Sequence, residues 1–195
     1  PAGDTIGLVY HGLDLSRFPD PPQREDDGGT FTLLSVGRLV AKKGYDDLLN
    51  ALTRLRGDWR FIHIGGGALS DELKARAETL GLSDRIEWRG KQDQTQVIEA
   101  MRGADLFVLP SKIADDGDRD GLPNVLMEAA SQKLPILPTP VSAIPAFITD
   151  GEPGVLVPPG GPAAPARPPP PFSPRIPPRA FWSLDERGSL VFIQS

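Results

Sequence analysis

An α/β fold, a Rossmann-like parallel sheet with helices on both faces, is what this sequence predicts. Three observations carry the prediction. Short apolar runs alternate with helical patterns along the first 160 residues. Several of those runs are continuously apolar, as strands buried on both faces are. Strand–helix alternation at this density joins successive strands by crossovers, which makes them parallel neighbours.

The expected strands are Ile6–Tyr10, Phe31–Val36, Trp59–Ile64, Arg85–Trp88, Asp105–Leu109, Pro135–Leu137 and Gly154–Val157. Between the second and third, Tyr45, Leu48, Leu49, Leu52 and Leu55 recur at three and four, the apolar stripe of a helix. Ser70–Leu80, Gln94–Arg102 and Pro123–Gln132 are the further helices. Ser70 before Asp71, Glu72 and Leu73 has the pattern of an N-cap with acids in the first turn. Gly81 and Gly103 are expected C-terminal stops.

After residue 160 the composition changes. Nine prolines fall between Pro162 and Pro178 with no apolar periodicity. Such a segment forms neither an ordinary helix nor a central strand. Residues 1–160 are therefore expected to be the folded domain and residues 161–195 an irregular Pro-rich tail. The tail is disordered, a polyproline segment for a proline-reading partner, or the product of a slipped reading frame. An Ala/Leu/Arg helical sequence in another frame of the parent DNA would mark the last of these. Ser189–Ile193 is expected to form one late strand.

Composition bounds the function. The formal net charge of −5 speaks against a nucleic-acid partner. There is no cysteine, which excludes disulfides and Cys-ligated metal centres, and the cytoplasm is the expected compartment. No run approaches the length of a membrane span, and no signal-peptide pattern opens the chain. The sequence starts at Pro1 without Met, so a fragment or processed product is expected.

Four stretches are candidates for chemistry. Gly37-Arg-Leu-Val-Ala-Lys-Lys-Gly44 follows the Phe31–Val36 strand, and ligands of open parallel sheets bind at the carboxyl ends of strands. Arg38 can pair two oxygens of a diphosphate and Lys43 can act as a point charge, although a solvated basic loop stays open. The spacing is not that of a Walker loop. Gly65-Gly-Gly67 follows the next strand, but the dinucleotide pattern needs a glycine where Ser70 stands. A tight turn with positive φ is the better reading, and His63 before it is expected to be a packed core histidine.

Asp116, Asp118 and Asp120 with Gly121 imitate the start of a calcium loop, but its twelfth position holds Met127, with Glu128 one residue late. Asp115, Asp116 and Asp118 are expected to be a solvated acidic loop. Asp120 and Glu128 differ in what separates them. Gly121 allows close backbone approach, and Pro123 suits the first helical turn. The amides of Leu122, Asn124 and Val125 at the helix start are free to bind oxygens. Eight helical residues rise roughly 12 Å, the scale of a nucleoside diphosphate sugar from hexose to ribose.

Taken together, these residues resemble the C-terminal, donor-binding domain of a retaining glycosyltransferase of family 4, from about Val9 to Gly160. His11-Gly-Leu-Asp14…Phe18 resembles the segment that follows the interdomain linker. Ser35-Val-Gly-Arg-Leu…Lys43-Gly44 resembles the diphosphate loop, and Ala104-Asp-Leu-Phe-Val-Leu-Pro-Ser111 the strand before the signature loop. Asp120…Glu128 matches the paired-acid motif, while Leu134-Pro-Ile and Val157-Pro-Pro-Gly160 resemble the closing turns.

The resemblance implies half of a GT-B fold that binds a nucleoside-diphosphate sugar, with residues 1–160 as the donor domain. Arg38 and Lys43 would hold the diphosphate and steady the leaving group. Asp120 would contact the transferred sugar, supported by Gly121, Leu122, Pro123 and Asn124; Glu128 would hold the ribose, and the backbone near Arg89 the base. No cofactor or metal is implied. Asp120 stands where many members have Glu, one methylene longer. The N-terminal acceptor domain is missing, so this piece would bind donor but not transfer sugar alone. Polysaccharide or lipid-linked glycan assembly, in the cytoplasm or at the inner membrane surface, is the implied setting. The residues also leave open a non-catalytic nucleotide-binding module and a protein-interaction domain acting through the Pro-rich tail.

Overall fold

The computed structural model describes residues 18–22, 29–113 and 123–139, and the backbone of two strands at 180–184 and 190–194. Five strands form one parallel sheet: β1 (Phe31–Val36), β2 (Trp59–Ile64), β3 (Ile86–Trp88), β4 (Leu106–Leu109) and β5 (Ile136–Pro138), in the order β3-β2-β1-β4-β5. Four helices connect them: α1 (Tyr45–Leu52), α2 (Ser70–Thr79), α3 (Gln94–Arg102) and α4 (Asn124–Ser131).

The sheet has a core on each face, as its near-continuous apolar strands require. On one face Leu48, Leu49 and Leu52 of α1 and Leu73 and Ala77 of α2 pack on Leu33, Phe61 and Val108. On the other, Val97, Ile98 and Met101 of α3 and Leu126 and Ala129 of α4 pack on Leu34, Ile62 and Phe107. Alternate residues of β1, Leu33 and Leu34, thus go to opposite cores, the period-two rule acting on a strand buried from both sides. The tyrosine–leucine stripe ends one turn earlier than expected: α1 stops at Leu52, and Leu55 packs against the same core from beyond the helix.

Two helix starts differ from expectation. Ser70 is the first residue of α2, not its cap; its hydroxyl donates to the Gly67 carbonyl at 2.7 Å and accepts the Gly67 amide at 3.1 Å, closing the glycine turn. Pro123 is the N-cap of α4, with extended φ −72° and ψ 129°, and the first turn opens at Asn124. By contrast α3 starts with a full capping box, Asp93 accepting the Gln96 amide and Gln96 accepting the Asp93 amide. Asp-x-x-Gln is a legible signature of this arrangement.

The opposite ends of α3 and α4 hold the lead-in segment. Gln132, fully buried, donates to the Pro19 carbonyl at 3.2 Å and accepts Arg102 Nη1 at 3.2 Å, while Arg102 also donates to the Asp20 carbonyl. Phe18 packs into the adjacent core.

The tail is not irregular throughout. β6 (Ala180–Leu184) and β7 (Leu190–Gln194) pair antiparallel, with Trp182 opposite Phe192. Prolines stop at Pro178, and the two runs that follow are rich in aromatic and branched residues around Gly188. One late strand was expected from this stretch; its partner was hidden in the proline composition of the preceding residues. The expected strands Ile6–Tyr10 and Gly154–Val157, and the boundary at residue 160, lie outside the described residues.

Candidate functional site

The strand order decides where a ligand can sit. From β1 the chain moves outward through β2 to β3, then returns to the other side of β1 for β4 and β5. The order reverses between β1 and β4, so the loops leaving these strands diverge to opposite faces and open a crevice at their carboxyl ends. The loop after β1 is 37–44, leading to α1 on one face; the chain after β4 leads to α4 on the other. The stretch singled out as a diphosphate loop and the helix that carries Glu128 therefore flank this switch point.

The β1 loop is held by backbone packed on backbone. Gly37 N donates to Ile64 O at 2.9 Å and Leu39 N to Gly66 O at 3.1 Å, so the loop runs along the glycine turn after β2. A Cβ on Gly65 would stand 1.9 Å from Gly37 O, and one on Gly67 2.3 Å from Leu39 O. These glycines serve close approach, and Gly65 also has the expected positive φ, 139°. Ala41–Lys43 then form a single 3₁₀ turn that ends on Gly44 at φ 64°. Gly44 is where α1 begins, with Asp46 and Asp47 in its first turn.

Within the loop the two expected cations differ. Arg38 is exposed at the carboxyl edge of β1. Lys43 is only 8 % exposed, and its Cδ and Cε lie 3.8 and 3.7 Å from the place a Cβ on Gly37 would take. Its stem thus lies along buried main chain. The same place is 2.9 Å from Tyr45 Oη, whose hydroxyl is 3.1 Å from Ser35 Oγ. A side chain at position 37 would push on both Lys43 and Tyr45.

Beneath the loop lies His63, fully buried in β2 as expected for a packed histidine. Its ring meets Tyr45 edge-on with centroids 4.6 Å apart, and Trp88 at 5.6 Å. Neither ring nitrogen finds a well-aligned hydrogen-bond partner among the described residues. Burial lowers the imidazole pKa to about 4, and the nearby Gly37 backbone offsets only part of this. The ring is neutral at pH 7 and adds no charge to the crevice.

On the far side of the crevice, Glu128 sits in the second turn of α4, half-buried, and its Oε1 receives Gln94 Nε2 at 3.4 Å. Gln94 is the first residue of α3, placed there by the Asp93 capping box. Asn124 is exposed at the start of α4. Arg89, just past β3, spends its amide on the His63 carbonyl at 2.9 Å and its guanidinium on Glu87 at 2.8 and 3.1 Å. The arginine side chain is turned back along β3, and the bond to Arg89 holds the Glu87 carboxyl below its ordinary pKa.

Arg38, Lys43, Arg89, Pro123, Asn124 and Glu128 all belong to segments at the carboxyl edge of the sheet. Asp120, Gly121 and Leu122, with Asp116 and Asp118, lie outside the described residues. Sequence reasoning missed Gln94, legible in hindsight from the capping box, and Lys112, which no local pattern marks. Among the described residues, no group of three or more His, Asp and Glu side chains is gathered as a metal site would need. Nor is any helix among them long and apolar enough to cross a membrane.

A parallel sheet, a switch point and a basic loop opposite an acid-bearing helix narrow the choice of family. Residues 16–167 match the profile of the glycosyl transferases group 1. The chain belongs to that family. It is 36 % identical over 160 residues to the amylovoran biosynthesis glycosyltransferase AmsK of Erwinia amylovora, a match covering 80 % of this chain and 39 % of AmsK. It is 34 % identical over 125 residues to the lipopolysaccharide core biosynthesis glycosyltransferase LpsE of Rhizobium meliloti, covering 64 % of this chain and 34 % of that one. Among solved structures, the apo form of the lipopolysaccharide outer core galactosyltransferase WaaB superposes with a TM-score of 0.68 at 28 % identity, over 80 % of this chain and 43 % of WaaB. The chain of this glycosyltransferase family member thus spans less than half the length of these relatives.

Proposed function

We propose that this chain is the donor-binding, C-terminal domain of a retaining glycosyltransferase of family 4, and that it takes a nucleoside-diphosphate hexose. The observation that carries the reading is the switch-point crevice, with a basic loop leaving β1 on one side and α4 with Glu128 on the other. Arg38 would grip diphosphate oxygens in a bidentate pair while Lys43, fixed by its buried stem, supplies a point charge. Glu128 would accept from the ribose hydroxyls, Gln94 keeping its carboxylate turned to the crevice. The backbone carbonyl of Arg89 would be left for the base, since its amide and guanidinium are engaged. Asp120 would meet the transferred hexose, with Gly121, Leu122, Pro123 and Asn124 shaping the turn.

The chemistry asked of such a site is modest. As the glycosidic bond to the diphosphate breaks, negative charge grows on the departing oxygens. Cations already in place lower that barrier without reorganisation, so the reading needs neither metal nor cofactor. An acceptor half supplied elsewhere in a longer protein would complete the cleft, and this domain alone would bind donor without transferring sugar. Its setting would be polysaccharide or lipid-linked glycan assembly in the cytoplasm or at the membrane surface.

Calorimetric titration with UDP- and GDP-sugars tests the reading. One of the two is expected to bind, and Arg38→Ala, Lys43→Ala and Glu128→Ala are each expected to weaken it. Wild-type chain that binds neither nucleotide sugar ends the proposal.

A further inference from the structure

The strand β4 leaves the sheet through Pro110, Ser111 and Lys112, directly before the stretch that carries Asp120. Here the two walls of the crevice touch. Lys112 N donates to the Lys42 carbonyl at 2.8 Å, and a Cβ on Gly44 would stand 2.0 Å from the Pro110 carbonyl oxygen. Main chain 110–112 therefore lies directly against main chain 42–44. The Lys112 ammonium closes the same joint from the side, donating to both carboxylate oxygens of Asp46 at 2.9 and 2.7 Å and to Asp47 Oδ2 at 3.1 Å. All three side chains are partly buried, at 32, 41 and 20 % exposure.

Asp46 and Asp47 make up the first turn of α1, the helix that starts at Gly44 immediately after Lys43. Two carboxylates there suit the helix dipole, but an anion entering the crevice would meet them as repulsion. Lys112 answers both. Burial alone would pull its pKa down; the two carboxylates outweigh that and leave it raised, so the ammonium stays charged across the neutral range.

We infer that Lys112 is a positioning residue for the diphosphate loop: by clamping Asp46 and Asp47 to the exit of β4, it holds Lys43 and the start of α1 in register across the switch-point crevice. The inference rests on the donor-site reading above. It deepens that reading by giving the binding geometry a support that touches no substrate.

The test uses the whole chain and four probes, UDP, GDP, UMP and GMP, with Lys112→Met, Lys112→Arg and Asp46→Asn beside wild type. Hydrogen exchange of amides 42–48 without ligand reads the clamp itself. In Lys112→Met these amides should exchange faster, and affinity for the preferred nucleoside diphosphate should fall about tenfold as the loop that carries Lys43 loses its register. Affinity for the matching monophosphate should change less than about twofold. Lys112→Arg should restore both readouts. Asp46→Asn breaks the clamp from its other side while removing a negative charge. Weaker diphosphate binding in this variant supports positioning, whereas tighter binding means the local field dominates and overturns it. Equal losses for diphosphate and monophosphate, or unchanged exchange in Lys112→Met, also overturn it. Wild type that binds none of the four probes sinks the donor-site reading and takes this inference with it. Wild type that binds while Lys112→Met binds equally well sinks the inference alone.

Discussion

The two walls of the switch-point crevice are held in opposite ways. The basic wall is built from main chain pressed on main chain, Gly65 against Gly37 and Gly67 against Leu39, with the Lys43 stem laid beside Gly37, and Gly44 bears on Pro110 where this wall meets the exit of β4. The acid wall, as far as it lies within the described residues, is held by side chains at helix starts, Gln94 reaching Glu128 at 3.4 Å from a helix capped by Asp93. Backbone contacts cannot be traded for other side chains, because any Cβ fills the space. Side-chain contacts at the surface can. On the proposed reading, the cations offered to a diphosphate are thus preorganised by the fold, whereas the carboxylate offered to hydroxyls is held adjustably.

The largest effect should come from breaking the backbone joint. Gly44→Ala places a Cβ 2.0 Å from the Pro110 carbonyl at a residue whose φ is 64°. It is expected to cost roughly 2–5 kcal/mol, left-handed strain and overpacking together, read by urea denaturation. A cost under about 0.5 kcal/mol, the range of ordinary surface changes, would show that the walls move independently.

Next comes the charge the joint supports. Lys43→Ala should weaken nucleoside-diphosphate binding by about 1.5–3 kcal/mol, with the gap shrinking as salt is raised. An unchanged dissociation constant would remove Lys43 from the site and leave its burial as packing.

His63 allows the basic wall to be loosened by pH. Its pKa falls from 6.5 in the unfolded chain to about 4 in the fold. The unfolded state therefore binds the proton first, and the stability His63 allows is whole above pH 6.5 and lost as pH falls towards 4. Between pH 7 and pH 5 this loss should be about 2 kcal/mol in wild type and absent from the pH slope of His63→Leu. Identical slopes in the two proteins would show that the ring is solvated in solution.

The smallest effect belongs to the acid wall. Asp93→Ala should cost about 1 kcal/mol by removing the cap of α3, and should relax Gln94 and, through it, Glu128. Nucleoside-diphosphate affinity is expected to change by less than it does in Lys43→Ala. If Asp93→Ala instead has the larger effect on binding, the contrast between a rigid basic wall and an adjustable acid wall is reversed.

Much of this was legible in local pattern. β1 and β2 fall where the strand-like runs placed them, and α3 spans the residues expected for it, Gln94–Arg102. The basic loop was legible because it follows a strand in a parallel sheet, where binding edges are fixed by topology. Other features were hidden for physical reasons. Pro123 fits both the cap and the first turn of a helix, and only the backbone angles decide. β7 falls close to the expected late strand Ser189–Ile193, whereas β6 was grouped with the proline stretch that ends just before it at Pro178.

Local chemistry set most of the sheet's strands and helices and marked the edge that carries charge, because hydrophobic period, caps and glycines act over a few residues. Which segments meet was settled by the packing of elements in three dimensions. That β4 lies beside β1, that Pro110 bears on Gly44, and that Lys112 grips aspartates 66 and 65 positions away follow from how the strands order themselves in one sheet. Contacts at such separations leave no periodic trace along a chain, since they are set by packing between elements and not within them.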